Sequence, residues 1–406
     1  MLVRQANRGL QGVRVNVHPL SRRAAIAGIG ATEFSKDSGR SELQLAAEAV
    51  LHALDDAGLS PKDVDGIASF TVDGNDEVDL SATLGFQDVR FFSRTPYGGG
   101  GACGIVHHAA MAVATKSANV VVCFRALNER SGKRYGAGAY YRAITSSTDI
   151  HRFSWYMPFG LLTPASWIAM TVRRYMYETG VTSEDFGRVA VLLRKHAAKN
   201  PAARFYGRPI TLAEHQASRW IVEPLRLLDC CLESDGAVAL IVTSTEQARQ
   251  LKQVPAVIAA SAQGMGPEQE SMTSYYGRDM SHLLELGVVG RQLWEMAGIG
   301  PGDIQAAMLY DHFTPFVLMQ LEELGFCGRG EAARFVAEGN LELGGRLPIN
   351  TNGGLLGEAY IHGVNNVAEA VRQIRGMSVN QVGGIANVLV TAGSGVPTSG
   401  LILSAA

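Results

Sequence analysis

Residues 353–376, GGLLGEAYIHGVNNVAEAVRQIRG, carry two titratable side chains, Tyr360 and His362, just ahead of a helical repeat. Val367, Ala370, Val371 and Ile374 recur at helical spacing, and Gly376 closes the run. A phenol and an imidazole at a helix N-terminus stand where free N–H groups and the helix dipole stabilise developing negative charge. An oxyanion could be held there. Residues 309–315, LYDHFTP, end another apolar run with Tyr310, Asp311 and His312. Polar groups at the carboxyl end of a strand are where open α/β sheets gather their functional side chains. A third stretch, YGGGGACG at 97–104, sets Cys103 near a helix start, either as a nucleophile or as a small packing residue. It satisfies G-x-G-x-x-G literally, but no acidic residue follows at the distance a dinucleotide ribose requires.

These residues need elements to bring them together, and the chain supplies two similar sets. Residues 24–30 read as a buried strand, and 42–57 as an amphipathic helix stopped by Gly58. Residues 119–124, NVVVCF, are too apolar for a strand with a wet face, as in a parallel sheet covered on both sides. The same programme returns later. AGIGPGDIQAAML at 297–309 repeats AGLSPKDVDGIAS, and ANVLVTAGSG at 386–395 repeats ANVVVCFRAL. Between them, the helix after Tyr360 matches the helix after Cys103. Matches in the same order imply a tandem duplication of an α/β layer unit with a mostly parallel sheet. Equivalent loops of the two copies, the 98–104 turn and the Tyr360 turn, should then face each other across the join.

The expected division is an extension at 1–22 without ordered structure, an N-terminal half at 23–250, and a C-terminal half at 251–406. Residues of about 126–228 have no counterpart in the second half and read as an inserted helical and loop subdomain, with helices at 164–179 and 184–199. Its aromatics, among them Tyr140, Tyr141, Phe153, Trp155, Tyr156 and Phe159, either line a bulky apolar site or form insert core or dimer contacts.

Composition narrows the class. The chain has 406 residues, 47% apolar and 18% charged, with a net charge of −2, so no electrostatic footprint argues for nucleic acid or a membrane surface. Five cysteines without C-x-x-C or Cys/His ligand spacing point to a reducing cytoplasm rather than to disulfides or a zinc site. No apolar run approaches the ~20 residues that span a bilayer.

Taken together, these blocks resemble the thiolase superfamily across residues 24–406. EPLRLLDCCLESDGAVALIV at 223–242 is similar to the strand entry of sterol-carrier-type thiolases, and the YDHF, NGGLLGEAYIHG and VTAGSG blocks fall where that family places its catalytic loops. The resemblance implies two duplicated α/β halves in a five-layer αβαβα sandwich. The departures are chemical. The family's catalytic histidine falls on Tyr360, its second cysteine on Thr391, and the asparagine or histidine of the first C-half loop on Tyr310. The nucleophile's position falls within Gly99–Gly101, leaving Cys103 displaced.

The chain is most similar to the lipid-transfer-protein-type aldolases of bacterial steroid side-chain degradation, through YDHFTPF, MQLEELGFCG and INTNGGLLGEAYIHG. That branch implies retro-aldol cleavage of a β-hydroxyacyl-CoA, such as a 17-hydroxy steroid carboxyl-CoA, to a steroid ketone and propionyl-CoA. It implies no covalent cysteine intermediate and no cofactor beyond the coenzyme A of the substrate. It also implies a homodimer with a small acyl-CoA-binding partner of the zinc-ribbon/OB-fold type, in the cytoplasm. Tyr360 and Tyr310 would divide the proton transfers, either His362 or the N–H groups of the helix after Tyr360 would hold the enolate oxygen, and Asp311 and His312 would orient Tyr310. Gly101, Cys103, Thr391 and Gly393 would border the substrate. Lys195, Lys199, Arg204 and Arg208 either grip CoA phosphates or form a solvated face. Two rival readings are a thiolase acting through Cys103 and a non-catalytic acyl-CoA carrier or scaffold.

Overall fold

The computed structural model describes residues 18–132, 134, 154–270, 272, 273, 275, 276 and 279–406. Its frame is a nine-stranded sheet in the order β3-β2-β4-β7-β1-β8-β11-β10-β9. The strands are β1 (Ala24–Ala31), β2 (Gly66–Phe70), β3 (Phe91–Thr95), β4 (Val120–Asn128), β7 (Asp235–Ser244), β8 (Ala256–Gly264), β9 (Ala306–Met308), β10 (Asn387–Thr391) and β11 (Thr398–Ser404). A separate hairpin joins β5 (Trp220–Val222) to β6 (Leu225–Arg226).

Alternation along the strands builds the layers. In β4, Val120, Val122, Phe124 and Ala126 pack under the helix Glu42–Ala57, while Val121, Cys123 and Leu127 pack on the helix Ala102–Ala114. In β10, Val388 and Val390 share that inner core with the helix Val364–Arg375. Leu389 faces outward, onto the core that holds the helices Leu284–Ala297 and Thr314–Glu323. Two half-sheets thus enclose one pair of equivalent helices and carry further helices outside, five layers in all. The halves meet through β1 and β8, which pair only at Ala25↔Val257 and Ile26↔Ala256.

The sheet departs from the mostly parallel expectation. Parallel pairing is confined to β2 with β3 and β4, and to β9 with β10; the middle of the sheet is antiparallel. Crossover helices return a strand in parallel, as the helix Ala102–Ala114 does between β3 and β4. A short link such as that between β10 and β11 reverses it. Order also begins earlier than expected at the N-terminus. Residues 1–17 lie outside the described residues, but 18–22 form a turn tied to β8, with Arg22 N–H donating to the Ile258 carbonyl at 3.0 Å and the Ser21 hydroxyl to that of Ala259 at 2.9 Å.

Between β4 and β7, the helices Pro164–Thr179 and Ser183–Lys199 pack on the outer face of the second half. The latter is pressed against the turn 353–357. A β-carbon on Gly353 would stand 2.5 Å from that of Ala197, and one on Gly357 2.6 Å. Among the insert aromatics, Trp155 and Phe159 are exposed, and Tyr156 packs edge-on against Tyr275. Tyr140, Tyr141 and Phe153 lie outside the described residues. Among the described residues, no helix is long and apolar enough to cross a membrane.

Candidate active site

Tyr310 follows β9, and its backbone is fixed on both sides. Its N–H donates to Thr391 Oγ1 at 2.9 Å, and its carbonyl accepts from Gln320 Nε2 at 2.9 Å. Thr391 and Gln320 are themselves joined at 2.5 Å. The ring then reaches the loop that carries Tyr360, where the hydroxyls of Tyr310 and Tyr360 share a hydrogen bond of 2.9 Å. Tyr360 is held by a bridge to Glu233 and by its N–H to Ser234 Oγ at 3.4 Å. Tyr310 is buried and Tyr360 half-buried.

The glycine turn at 98–101 closes over this pair. A β-carbon on Gly99 would stand 1.8 Å from Tyr310 Oη, and one on Gly363, where φ is +85°, 2.9 Å from the Tyr310 ring. The loops of the two halves therefore do face each other, with a phenol hydroxyl filling the space that a side chain at position 99 would need.

His362 sits in the left-handed region at φ +49°, and its Nδ1 accepts from Arg125 Nε at 2.9 Å. A guanidinium can only donate, so the neutral ring carries its proton on Nε2. That nitrogen is 3.5 Å from where a β-carbon on Gly98 would be, which places a donor beside the glycine turn and edge-on to Tyr360. Burial, with the Arg125 charge adding to it, holds the imidazole well below its usual range, so it acts as a neutral donor. Arg125 is itself buried and paired with Asp73 at 2.7 Å.

Burial, the leading cause, pushes both phenols well above their ordinary value, and the carboxylate of Glu129 adds to it. Desolvation thus opposes a phenolate at either hydroxyl.

Several expected residues take other roles. Asp311 does not orient the Tyr310 hydroxyl; its carboxylate accepts the N–H groups of Leu355 at 2.9 Å and Leu356 at 3.1 Å and so clamps the 353–357 turn. Burial pushes it up to about 7. The His312 ring lies 4.9 Å from the Tyr310 ring, among Phe313 and Phe316, and burial lowers it to about 3. It shapes the wall beside Tyr310. Thr391, Gly101 and Gly393 are buried structural parts rather than a substrate surface. Thr391 pins Tyr310, and a β-carbon on Gly101 would meet Thr95 Oγ1 at 2.5 Å. Gly393 is spent on closeness, its N–H donating to the Gly99 carbonyl at 3.0 Å.

Cys103 is buried, with its thiol turned to the Val390 carbonyl at 3.7 Å and desolvation holding it far above the ordinary thiol range. It packs between the halves and does not meet the phenols. Of the basic residues, Lys195 pairs with Glu342 at 2.6 Å, and the Arg204 backbone N–H donates to the Glu358 carbonyl at 2.9 Å.

Two hollows, about 440 Å³ beside Arg22 and Arg249 and about 300 Å³ beside Phe91 and His108, do not touch the phenol pair. The converging loops locate the chemistry better than these openings do. Sequence reading missed Arg125, although a charge inside the apolar run NVVVCFRALN signals a buried partner. It also missed Asp73, Gln320 and Glu129, which no spacing marks.

Layering and loop positions define a protein of thiolase fold. Comparison agrees. Residues 266–404 match the family model "Thiolase C-terminal domain-like". The chain is 65% identical over 382 residues, 94% of its length and 98% of the relative, to the "Steroid side-chain-cleaving aldolase" of Thermomonospora curvata. It is 62% identical over 388 residues, 95% of its length and 100% of the relative, to the "17-hydroxy-3-oxo-4-pregnene-20-carboxyl-CoA lyase" of Mycobacterium tuberculosis. The solved "Ltp2-ChsH2(DUF35) aldolase" superposes with a TM-score of 0.92 at 63% identity, over 96% of this chain and 99% of that one. Human mitochondrial 3-ketoacyl-CoA thiolase shares the fold at a TM-score of 0.66 and 15% identity, over 95% of this chain and 100% of that one. The chain belongs to the steroid side-chain-cleaving aldolases of the thiolase superfamily.

Proposed function

We propose that this chain cleaves a steroid β-hydroxyacyl-CoA by a retro-aldol reaction, giving a steroid ketone and a short acyl-CoA, propionyl-CoA for a 17-hydroxy steroid carboxyl-CoA. The observation that carries this reading is the 2.9 Å hydrogen bond between Tyr310 and Tyr360 beneath a glycine turn with no nucleophile. In the reaction the β-hydroxyl loses its proton, the Cα–Cβ bond breaks as the carbonyl forms, and the electron pair passes into a thioester enolate. A proton then reaches Cα. Tyr310 and Tyr360 divide these transfers, and His362 Nε2–H steadies the enolate oxygen. Beyond the coenzyme A of the substrate, the chemistry asks for no cofactor.

Association with a DUF35-type partner fits the solved relative's composition, and we read that partner as a small OB-fold protein presenting the acyl-CoA. Self-pairing fits the open sheet edge at β3, where Phe92 is exposed. A cytoplasmic setting fits the unpaired cysteines.

The test is co-expression with such a partner and mass spectrometry of products from a 17-hydroxy steroid carboxyl-CoA. Equimolar 17-ketosteroid and propionyl-CoA are expected. Tight binding with no product would favour the carrier reading, and cleavage of acetoacetyl-CoA through an acyl-enzyme would favour the thiolase one.

A further inference from the structure

Arg125 is the charged residue of the apolar strand β4, and its side chain and that of Asp73 are 1% and 0% exposed. A buried ion pair is weak support for stability, since apolar residues of similar volume often serve as well or better. A pair placed beside the site therefore calls for a functional reason. The Arg125 fork is engaged at all three nitrogens. Nε donates to His362 Nδ1 at 2.9 Å, Nη1 to Asp73 Oδ2 and to the Ala126 carbonyl, both at 2.7 Å, and Nη2 to the Val72 carbonyl at 3.3 Å.

Asp73 is fixed as firmly. Its Oδ2 also accepts the Ala126 N–H at 3.1 Å, and its Oδ1 accepts the backbone N–H and the side-chain amide of Asn75 at 3.0 and 2.8 Å. The Asn75 carbonyl in turn accepts from Arg94 Nη2 at 2.8 Å, and Arg94 is held by Glu77 at 2.7 Å. The segment 72–77 after β2 thus braces the guanidinium that reaches His362.

An imidazole has three protonation states: neutral with the hydrogen on either nitrogen, or cationic with both filled. Two of the three put a hydrogen on Nδ1, where it would meet the Arg125 Nε–H head-on. The form with its proton on Nε2 alone accepts the guanidinium, and the tie at Nδ1 fixes the direction of the Nε2–H at the same time. A neutral imidazole holds its hydrogen far more tightly than an imidazolium does. It therefore steadies an enolate oxygen without protonating it, which keeps the electron pair available at Cα.

We propose that Asp73 and Arg125 are positioning residues for the cleavage: the Asp73 carboxylate orients the Arg125 fork so that Nε faces the ring, and Arg125 thereby makes His362 a single-tautomer donor toward the enolate oxygen. Neither residue touches the reacting atoms in this scheme. Both act through the imidazole.

This inference rests on the retro-aldol reading, and its test separates the two. Removing one charge alone would strand the other in the interior, so the main variant joins Asp73→Asn to Arg125→Met, which removes both charges at similar volume and should leave the melting temperature within a few degrees of wild type. Asp73→Asn alone, which keeps an acceptor for Nη1, is measured beside it. In the co-purified complex, with the steroid β-hydroxyacyl-CoA, kcat of each should fall about 10–100-fold with KM within twofold, short of the loss expected on removing the donor outright. The reading that a purely structural pair would not give comes from repeating both in a His362→Asn background. With the imidazole gone, the same substitutions should lower kcat by less than about twofold further. An equal fractional loss in both backgrounds, or near wild-type kcat in the charge-free variant, would overturn the proposal and leave the retro-aldol reading standing. A wild-type complex that cleaves no β-hydroxyacyl-CoA would overturn both.

Discussion

The Tyr310 hydroxyl lies 1.8 Å from the point where a β-carbon on residue 99 would stand. Phenol and side chain at these two positions exclude one another, which accounts for the glycine at position 99. Gly99→Ala should therefore displace either Tyr310 or the turn. Because an error of about 1 Å in a reacting group costs roughly 100-fold, kcat/KM should fall by about that factor. Steady-state kinetics beside a melting curve checks it; an active Gly99→Ala enzyme would mean that Tyr310 swings freely.

His362 is predicted to act as a neutral donor whose tautomer is set by Arg125. His362→Asn suits the left-handed backbone and keeps an acceptor for the guanidinium, but lacks a donor at the ring's far edge. Its kcat should drop by about 10²–10³, the range seen on losing one oxyanion donor, with little change in KM. Since the imidazole is held well below its ordinary value, this residue should add no inflection to the rate profile near pH 6.5.

Cys103 should be dispensable for chemistry. Cys103→Ala is expected to keep kcat within twofold, and iodoacetamide should leave the native enzyme active, because the thiol is buried and protonated. An alkylated Cys103 accompanied by loss of activity would revive a covalent route.

Glu285, on the helix Leu284–Ala297, accepts the Gly395 N–H at 2.7 Å and so holds the loop beside the glycine turn. Burial pushes its carboxyl up to about 7, above its unfolded value. The folded state therefore binds the extra proton between the two values, and this contribution to stability is lost as pH rises through about 7. Glu285→Gln is neutral throughout, so its melting temperature relative to wild type should climb by a few degrees between pH 5 and 8. Differential scanning calorimetry across that range reads it directly. A constant difference would count against a buried, protonated Glu285.

Much of this was visible in one chain read alone. The helix after His362, the repeat and the placement of two tyrosines at strand and helix ends follow from periodicity and glycine punctuation. Arg125 was visible as a charge in an apolar strand, yet its partners Asp73 and His362 are distant in sequence and no spacing names them. The direction of Asp311 was beyond reach for another reason: one residue further along the chain from Tyr310, it points to the 353–357 turn, and only the folded backbone decides that. Likewise, Thr391 matched a catalytic position but became a clasp on Tyr310, because it sits at the strand end beside Tyr310 and closes onto Gln320.

The most direct measurement is turnover of the steroid β-hydroxyacyl-CoA by Tyr310→Phe and Tyr360→Phe, each purified with the partner and shown to be folded. Each loses one hydroxyl from the 2.9 Å pair, and both should fall at least about 100-fold in kcat. If both variants released ketone and acyl-CoA at near wild-type rates, the phenols would not be the groups that move the proton.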